Sequence, residues 1–169
     1  MLKASRKPER TAGMARRLCA ELITQARAPE FFRVLGVPDT MDGRFDLVAL
    51  HAWLVLDRLN TNPPLAQALV NEIFVNFDEA LRHLGTGDIG MNRRLKIMAS
   101  AFYGRLQAYR SALSEDELCA AIHRNLYRGS EERREQAKAV AAYAWSARSS
   151  LASIDLTAGR LEFSPLPNM

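Results

Sequence analysis

The sequence predicts an all-α fold, a single irregular bundle of six or seven helices. Three observations predict it. Apolar residues recur at three- and four-residue spacing through most of the chain. Turn signals (Gly-Val-Pro-Asp, Asn-Thr-Asn-Pro-Pro and a glycine-rich break) separate these stretches at helix-length intervals. No βαβ alternation is present, which excludes the α/β folds that house most nucleotide enzymes. The length, 169 residues with 48% hydrophobic side chains, suits one domain with a substantial core.

The elements follow in order. Residues 1–10 show no periodicity and read as a flexible basic arm. From Thr11 to Ala28, Met14, Leu18, Leu22 and Ile23 form one stripe of an amphipathic helix. Pro29 suits the first turn of a short helix carrying Phe31, Phe32 and Leu35, which Gly36-Val37-Pro38-Asp39 stops. Residues 42–60 are apolar nearly all round, the mark of a central buried helix, with Asp39, Thr40 or Asp42 as its cap. His51 in that helix reads as a core histidine bonded to backbone or a carboxylate.

After the turn at Asn60–Pro64, Leu69, Ile73, Phe77 and Leu84 mark a fourth helix over 65–84. A fifth runs over 91–113, with Leu95, Met98, Phe102, Leu106 and Tyr109 in register; Phe102 reads as core. Gly104, with Ala101 and Ala108, reads as a site of close helix packing. Ser114 and Glu117 form a capping box for the next helix, which Gly129 ends as the residue past the cap. An Ala-rich helix over 130–151 closes the domain, taken as 11–152. Residues 153–169 are a tail, extended or folded as a short hairpin about Thr157-Ala158-Gly159, with a loose end at Pro165 and Pro167.

The net charge of +4 is unevenly placed. Residues 1–28 hold seven basic and two acidic side chains, a surplus of +5, so the rest of the chain stands at −1. Such an arm suits phosphate or acidic surfaces. Its lack of interleaved aromatics argues against specific nucleic-acid reading. The longest uncharged apolar run, Leu47–Leu56, is half of what a membrane-spanning helix needs. A cytoplasmic protein, peripheral at the membrane at most, is expected. Cys19 and Cys119 read as reduced thiols.

Chemical motifs are few. Gly85, Gly87 and Gly90 spell G-x-G-x-x-G, but a helical pattern precedes them where a nucleotide site needs a strand. Cys119 with His123, and Glu79 with His83, are only pairs where a metal needs three or four ligands. No catalytic residue, cofactor, metal or small-molecule substrate is assigned. Two stretches defy stability rules. Arg93, Arg94 and Lys96 open a helix where the dipole disfavours cations. Gly43 and Arg44 are poor first-turn choices, and they sit in the polar run Asp42, Arg44 and Asp46 around Phe45.

Those stretches resemble the ubiquinol–cytochrome c chaperone family. The resemblance runs through Gly36-Val37-Pro38-Asp39-Thr40, Asp42 to Leu47, Leu50-His51, Leu65 to Leu69, and Gly87-Asp88-Ile89-Gly90. It continues in Ala101-Phe102-Tyr103-Gly104-Arg105-Leu106 with Tyr109, and in Arg124 to Tyr127, about residues 30–130 in all. Met41 stands where the family favours an aromatic, and Met91-Asn92 where Val-Pro is commoner. The resemblance implies a helical, non-enzymatic factor that binds newly synthesised cytochrome b for assembly of respiratory complex III. Mitochondrial relatives work with a small partner protein at the ribosomal tunnel exit, and the short N-terminus here suits a bacterial form. Candidate partner contacts are Asp42, Arg44, Phe45, Asp46, Asp88, Arg93, Arg94, Lys96, Tyr103 and Arg105. Two rival readings remain: a ribosome- or nucleic-acid-binding module using the basic arm, and a small helical metalloenzyme.

Overall fold

The computed structural model describes residues 6–85, 88–156 and 160–167; the side chains of Arg6, Lys7, Asp88 and Ile89 lie outside that description. Seven α-helices order the described chain: α1 (Arg6–Ala26), α2 (Pro29–Arg33), α3 (Met41–Arg58), α4 (Pro63–His83), α5 (Asp88–Arg110), α6 (Glu115–Leu126) and α7 (Arg134–Ala152). A 3-10 turn, Glu131–Arg133, leads into α7. No strand occurs among the described residues, in agreement with the all-α expectation.

The core is built around α3. Every residue from Phe45 to Leu56 is buried, so this helix meets neighbours on all sides. It packs on α1, α5, α6 and α7, while α1 pairs with α4 and α6 with α7. Ala137, Ala141 and Ala144 are fully enclosed, and their small side chains let α7 approach closely. Phe102 is core, as its stripe predicts. His51 is fully buried: Nδ1 lies 2.8 Å from the Leu47 carbonyl and Nε2 2.9 Å from the Tyr143 hydroxyl. The first contact fixes Nδ1 as the N–H donor, so Nε2 accepts from Tyr143. Burial depresses the imidazole pKa to about 4.

Helix ends mostly follow their capping residues. Thr40 caps α3 by accepting the Gly43 N–H at 3.2 Å, and Ser114 accepts the Glu117 N–H at 3.2 Å. Glu117 reaches back to the N–H of Leu113, at 2.7 Å, one residue before its capping-box target. Gly129 is left-handed as expected, but Arg128 precedes it with φ +56°, so the turn after α6 spends two residues in that region. Helix α1 begins at Arg6, five residues before the predicted start, because helix continues through polar positions that carry no apolar periodicity.

Two packing expectations need correction. A Cβ on Gly104 would meet nothing within 4 Å among the described residues, so that glycine packs against no other described helix. The tail end is not loose either. Leu161 is buried, its N–H donates to Glu21, and Ser164 bonds Ser146 at 2.9 Å. Phe163 sets its ring edge-on to His51, centroids 5.3 Å apart. The hairpin turn expected at residues 157–159 lies outside the described residues.

Candidate functional site

The predicted contacts divide according to helical geometry. Side chains two residues apart on a helix point to nearly opposite sides. Asp42 and Asp46 therefore turn toward α5, while Arg44 turns away and pairs with Asp39 at 2.6 Å on the exposed surface. That pair holds the Asp39 carboxyl below its usual range. The three charges expected as one cluster are thus separated.

Asp42, Phe45, Arg94 and Arg105 meet in one cleft of about 300 Å³. Its walls come from the first turns of α3, the end of α4 at Leu81, and the α5 face Arg94, Ile97, Met98, Ala101 and Arg105, with Arg128 across the mouth. Sequence reasoning places four of its contributors and misses Met41, Leu81, Ile97, Met98, Ala101 and Arg128. Ile97, directly after Lys96 and 60% exposed, is the one of these that stands out on α5 as an exposed apolar side chain.

Asp46 organises the cleft. It is fully buried, yet two arginines from elsewhere in the chain reach it. Arg105 donates from Nε to Oδ1 at 2.5 Å, and Arg128 places Nη2 2.8 Å from Oδ2. The first is a hydrogen-bonded pair. The second is an ion pair by distance without hydrogen-bond alignment. Burial raises the Asp46 carboxyl, and the two guanidinium groups pull against that rise. Arg105 also donates to the Ala101 carbonyl at 3.1 Å and lies 5.0 Å from the centre of the Phe45 ring. Its fork is therefore fixed on three sides. Arg128 remains 53% exposed by side chain. Behind this pair, the buried Tyr109 hydroxyl finds no partner among the described residues, and burial raises its pKa.

Gly43 has a clear purpose here. An added Cβ would stand 2.0 Å from the Pro38 carbonyl oxygen, so only glycine lets the preceding bend cross the first turn of α3. That crossing sets Phe45 and Asp46 at the cleft. The cations of α5 are explained differently. The helix starts at Asp88, which moves Arg93, Arg94 and Lys96 out of its first turn. Arg94 joins the cleft; Arg93 and Lys96 point to solvent. The side chain of Asp88 lies outside the described residues.

Tyr103 lies on the other flank of α5. It is half-exposed, stacks on Phe74 with centroids 6.5 Å apart, and lines a larger concavity of about 670 Å³ between α3, α4 and α5. That concavity gathers no other predicted contact. Arg44 instead borders a groove of about 310 Å³ with Arg27, Met41 and Phe45, adjoining the cleft across the last two.

The thiol–histidine pair of α6 offers little chemistry. Burial raises the Cys119 pKa, the reverse of what a nucleophile needs. His123 Nε2 is engaged with the Ser130 carbonyl at 2.8 Å. Among the described residues no three His, Cys, Asp or Glu side chains gather as metal ligands. Nor is any described helix long and apolar enough to cross a membrane.

Comparison with known proteins bears directly on this arrangement. The sequence pattern of the family described as ubiquinol-cytochrome C chaperone matches residues 33–160. The chain belongs to that family. A solved structure of the Cbp3 homolog from Brucella abortus superposes with a TM-score of 0.83 and 33% identity, over 95% of this chain and 94% of that one. Ubiquinol-cytochrome-c reductase complex assembly factor 1 of Xenopus laevis is 24% identical over 103 residues, 57% of this chain. The chain spans about half of that relative, 52% of its length. The ubiquinol–cytochrome c chaperone match takes in α3 to α7 and with them every wall of the cleft.

Proposed function

We propose that this protein is a non-enzymatic assembly chaperone of respiratory complex III, and that its client is newly synthesised cytochrome b. Membership of the ubiquinol–cytochrome c chaperone family carries the first part. The cleft supports the second. Its walls combine Met41, Met98, Ile97 and Phe45, flexible and aromatic side chains that adapt to an apolar segment, with arginines at the rim. A membrane-destined client offers such segments before it inserts.

The test is deletion of the gene in a respiring host, with complementation. Loss of cytochrome b and of assembled complex III, restored by the wild-type chain, is the expected result. Normal levels of both after deletion overturn the assembly role. A photo-crosslinker at Ile97 captures cytochrome b if the cleft is the contact; capture only from the basic arm would move the site elsewhere.

A further inference from the structure

The cleft leaves one anomaly of the sequence unexplained. Arg44 lies in the first turn of α3, where the helix dipole disfavours a cation, and it does not line the cleft. It borders instead a hollow of about 560 Å³, lined by Arg27, Pro29, Phe32, Arg33, Asp39 and Arg44. Three guanidinium groups from three helix ends meet there. Arg27 follows the last residue of α1, Arg33 ends α2 and Arg44 stands near the start of α3.

That charge is not neutralised within the fold. The one carboxylate of the lining, Asp39, is committed to Arg44 at 2.6 Å. Arg27 and Arg33 are exposed, and among the described residues neither guanidinium has a hydrogen-bond or ion-pair partner. Glu30, the acid of α2, does not line the hollow and pairs with neither of them. Helix C-termini favour cations, which explains Arg27 and Arg33 one at a time. It explains neither Arg44 nor the meeting of all three, because like charges gathered in one place repel.

We infer that this hollow binds a phosphate group. Planar guanidinium forks match phosphate oxygens two at a time, and the free forks of Arg27 and Arg33 supply more donors than the two oxygens of a carboxylate use. Arg44 neutralises Asp39, which would otherwise repel the guest. Pro29 and Phe32 add an apolar flank for the carbon skeleton that carries the phosphate. The source is the headgroup of an anionic phospholipid or a soluble phosphate compound; the chemistry of recognition is the same for both. The hollow shares no residue with the client cleft, so the inference goes beyond the chaperone reading and stands or falls without it.

The purified full chain is tested with two probes at constant ionic strength. Inorganic phosphate is followed by NMR of the arginine Nε–H groups. Vesicles of phosphatidylcholine, with and without phosphatidylglycerol, are followed by co-flotation. The double variant Arg27→Gln/Arg33→Gln should weaken binding of at least one probe by about tenfold, as the loss of two surface charges allows. Arg110 and Arg124 are exposed arginines outside the hollow. The charge-matched Arg110→Gln/Arg124→Gln should change binding by less than about twofold. Asp39→Asn, which frees the fork of Arg44, should tighten binding by about threefold. Circular dichroism confirms that each variant is folded.

Vesicle binding that needs both phosphatidylglycerol and the two arginines supports the inference with a lipid headgroup as the source. Arginine-dependent binding of inorganic phosphate without vesicle binding supports it with a soluble compound. Failure of both probes overturns it. So does an equal loss in the two double variants, which would mean only general attraction to positive charge. A folded Asp39→Asn chain that binds no better than wild type overturns it as well. Arginine-dependent binding of single-stranded RNA, with neither probe bound, overturns it in favour of a nucleic acid.

Discussion

Two helix-interior glycines break the same propensity rule, and alanine at each should have opposite effects. Gly43 is the third residue of α3, where a Cβ would lie 2.0 Å from the Pro38 carbonyl oxygen and 3.1 Å from its carbon. The obstacle is backbone, not the far end of a flexible side chain, so relieving it requires moving the bend itself. A 2.0 Å approach to backbone stands at the top of the overpacking range, about 3 kcal/mol, and the helix gains about 1 kcal/mol from Ala. The balance for Gly43→Ala is a loss of roughly 2 kcal/mol, or about 4–8 °C in Tm for a chain of this size. Gly104 is exposed and has open space around its Cβ position. Gly104→Ala should therefore gain about 0.5–1 kcal/mol, a rise of about 1–4 °C. Thermal and urea unfolding followed by far-UV circular dichroism measure both. A Gly43→Ala protein as stable as wild type would refute the placement of α3 against the Pro38 bend, and a destabilised Gly104→Ala would refute the open space around Gly104 on α5.

Three further outcomes are expected. Asp46→Asn leaves Arg105 and Arg128 facing a neutral amide and should cost about 3 kcal/mol, less what Arg128 recovers by turning to water; Arg105→Met in the same chain should recover part of it in a double-mutant cycle. His51 titrates at about 4 when folded and near 6.5 when unfolded. The unfolded chain binds the extra proton between those values, so stability is full above pH 6.5 and falls by about 3 kcal/mol as pH drops toward 4. His51→Gln should flatten that slope, and an unchanged slope would show that other groups set it. Burial pushes the Cys19 thiol up to about 11. Iodoacetamide at pH 7.5 should therefore leave Cys19 intact in the folded chain and modify the more exposed Cys119 slowly, read by intact mass.

Periodicity carried the fold because each helix hides one apolar face, and that face is written in consecutive residues. It placed α3 at the centre, and Phe102 and His51 in the core. What it missed is non-local. Asp46 meets Arg105 across 59 residues of sequence, and Arg128 comes from a third element. A lone Asp in an apolar helix names neither partner. Reading Asp42, Arg44 and Asp46 as one cluster treated neighbours in sequence as neighbours in space, which helical rotation forbids for Arg44. Gly43 was visible as an anomaly, but its cause, the Pro38 carbonyl, belongs to a bend whose path the sequence does not specify. Helix α1 started early because polar residues can continue a helix without leaving any apolar period to detect.

The buried carboxylate then poses a choice that stability alone decides against. A fully buried Asp with two arginines pays heavily in desolvation, and an apolar residue packed in its place is commonly as stable or more so. Leucine at position 46 would extend the unbroken apolar surface of α3 and let both arginines leave for solvent. With Asp there, Arg105 is pinned across Phe45 and Arg128 is drawn over the cleft mouth. The pair therefore acts on position more than on stability: it keeps two cations at the edge of an apolar cleft where entropy and hydration would otherwise remove them. An Asp46→Leu chain as stable as wild type in urea but no longer crosslinked to cytochrome b from Ile97 would display that trade directly. A crosslink retained in a folded Asp46→Leu chain would mean that the arginines hold their places without it.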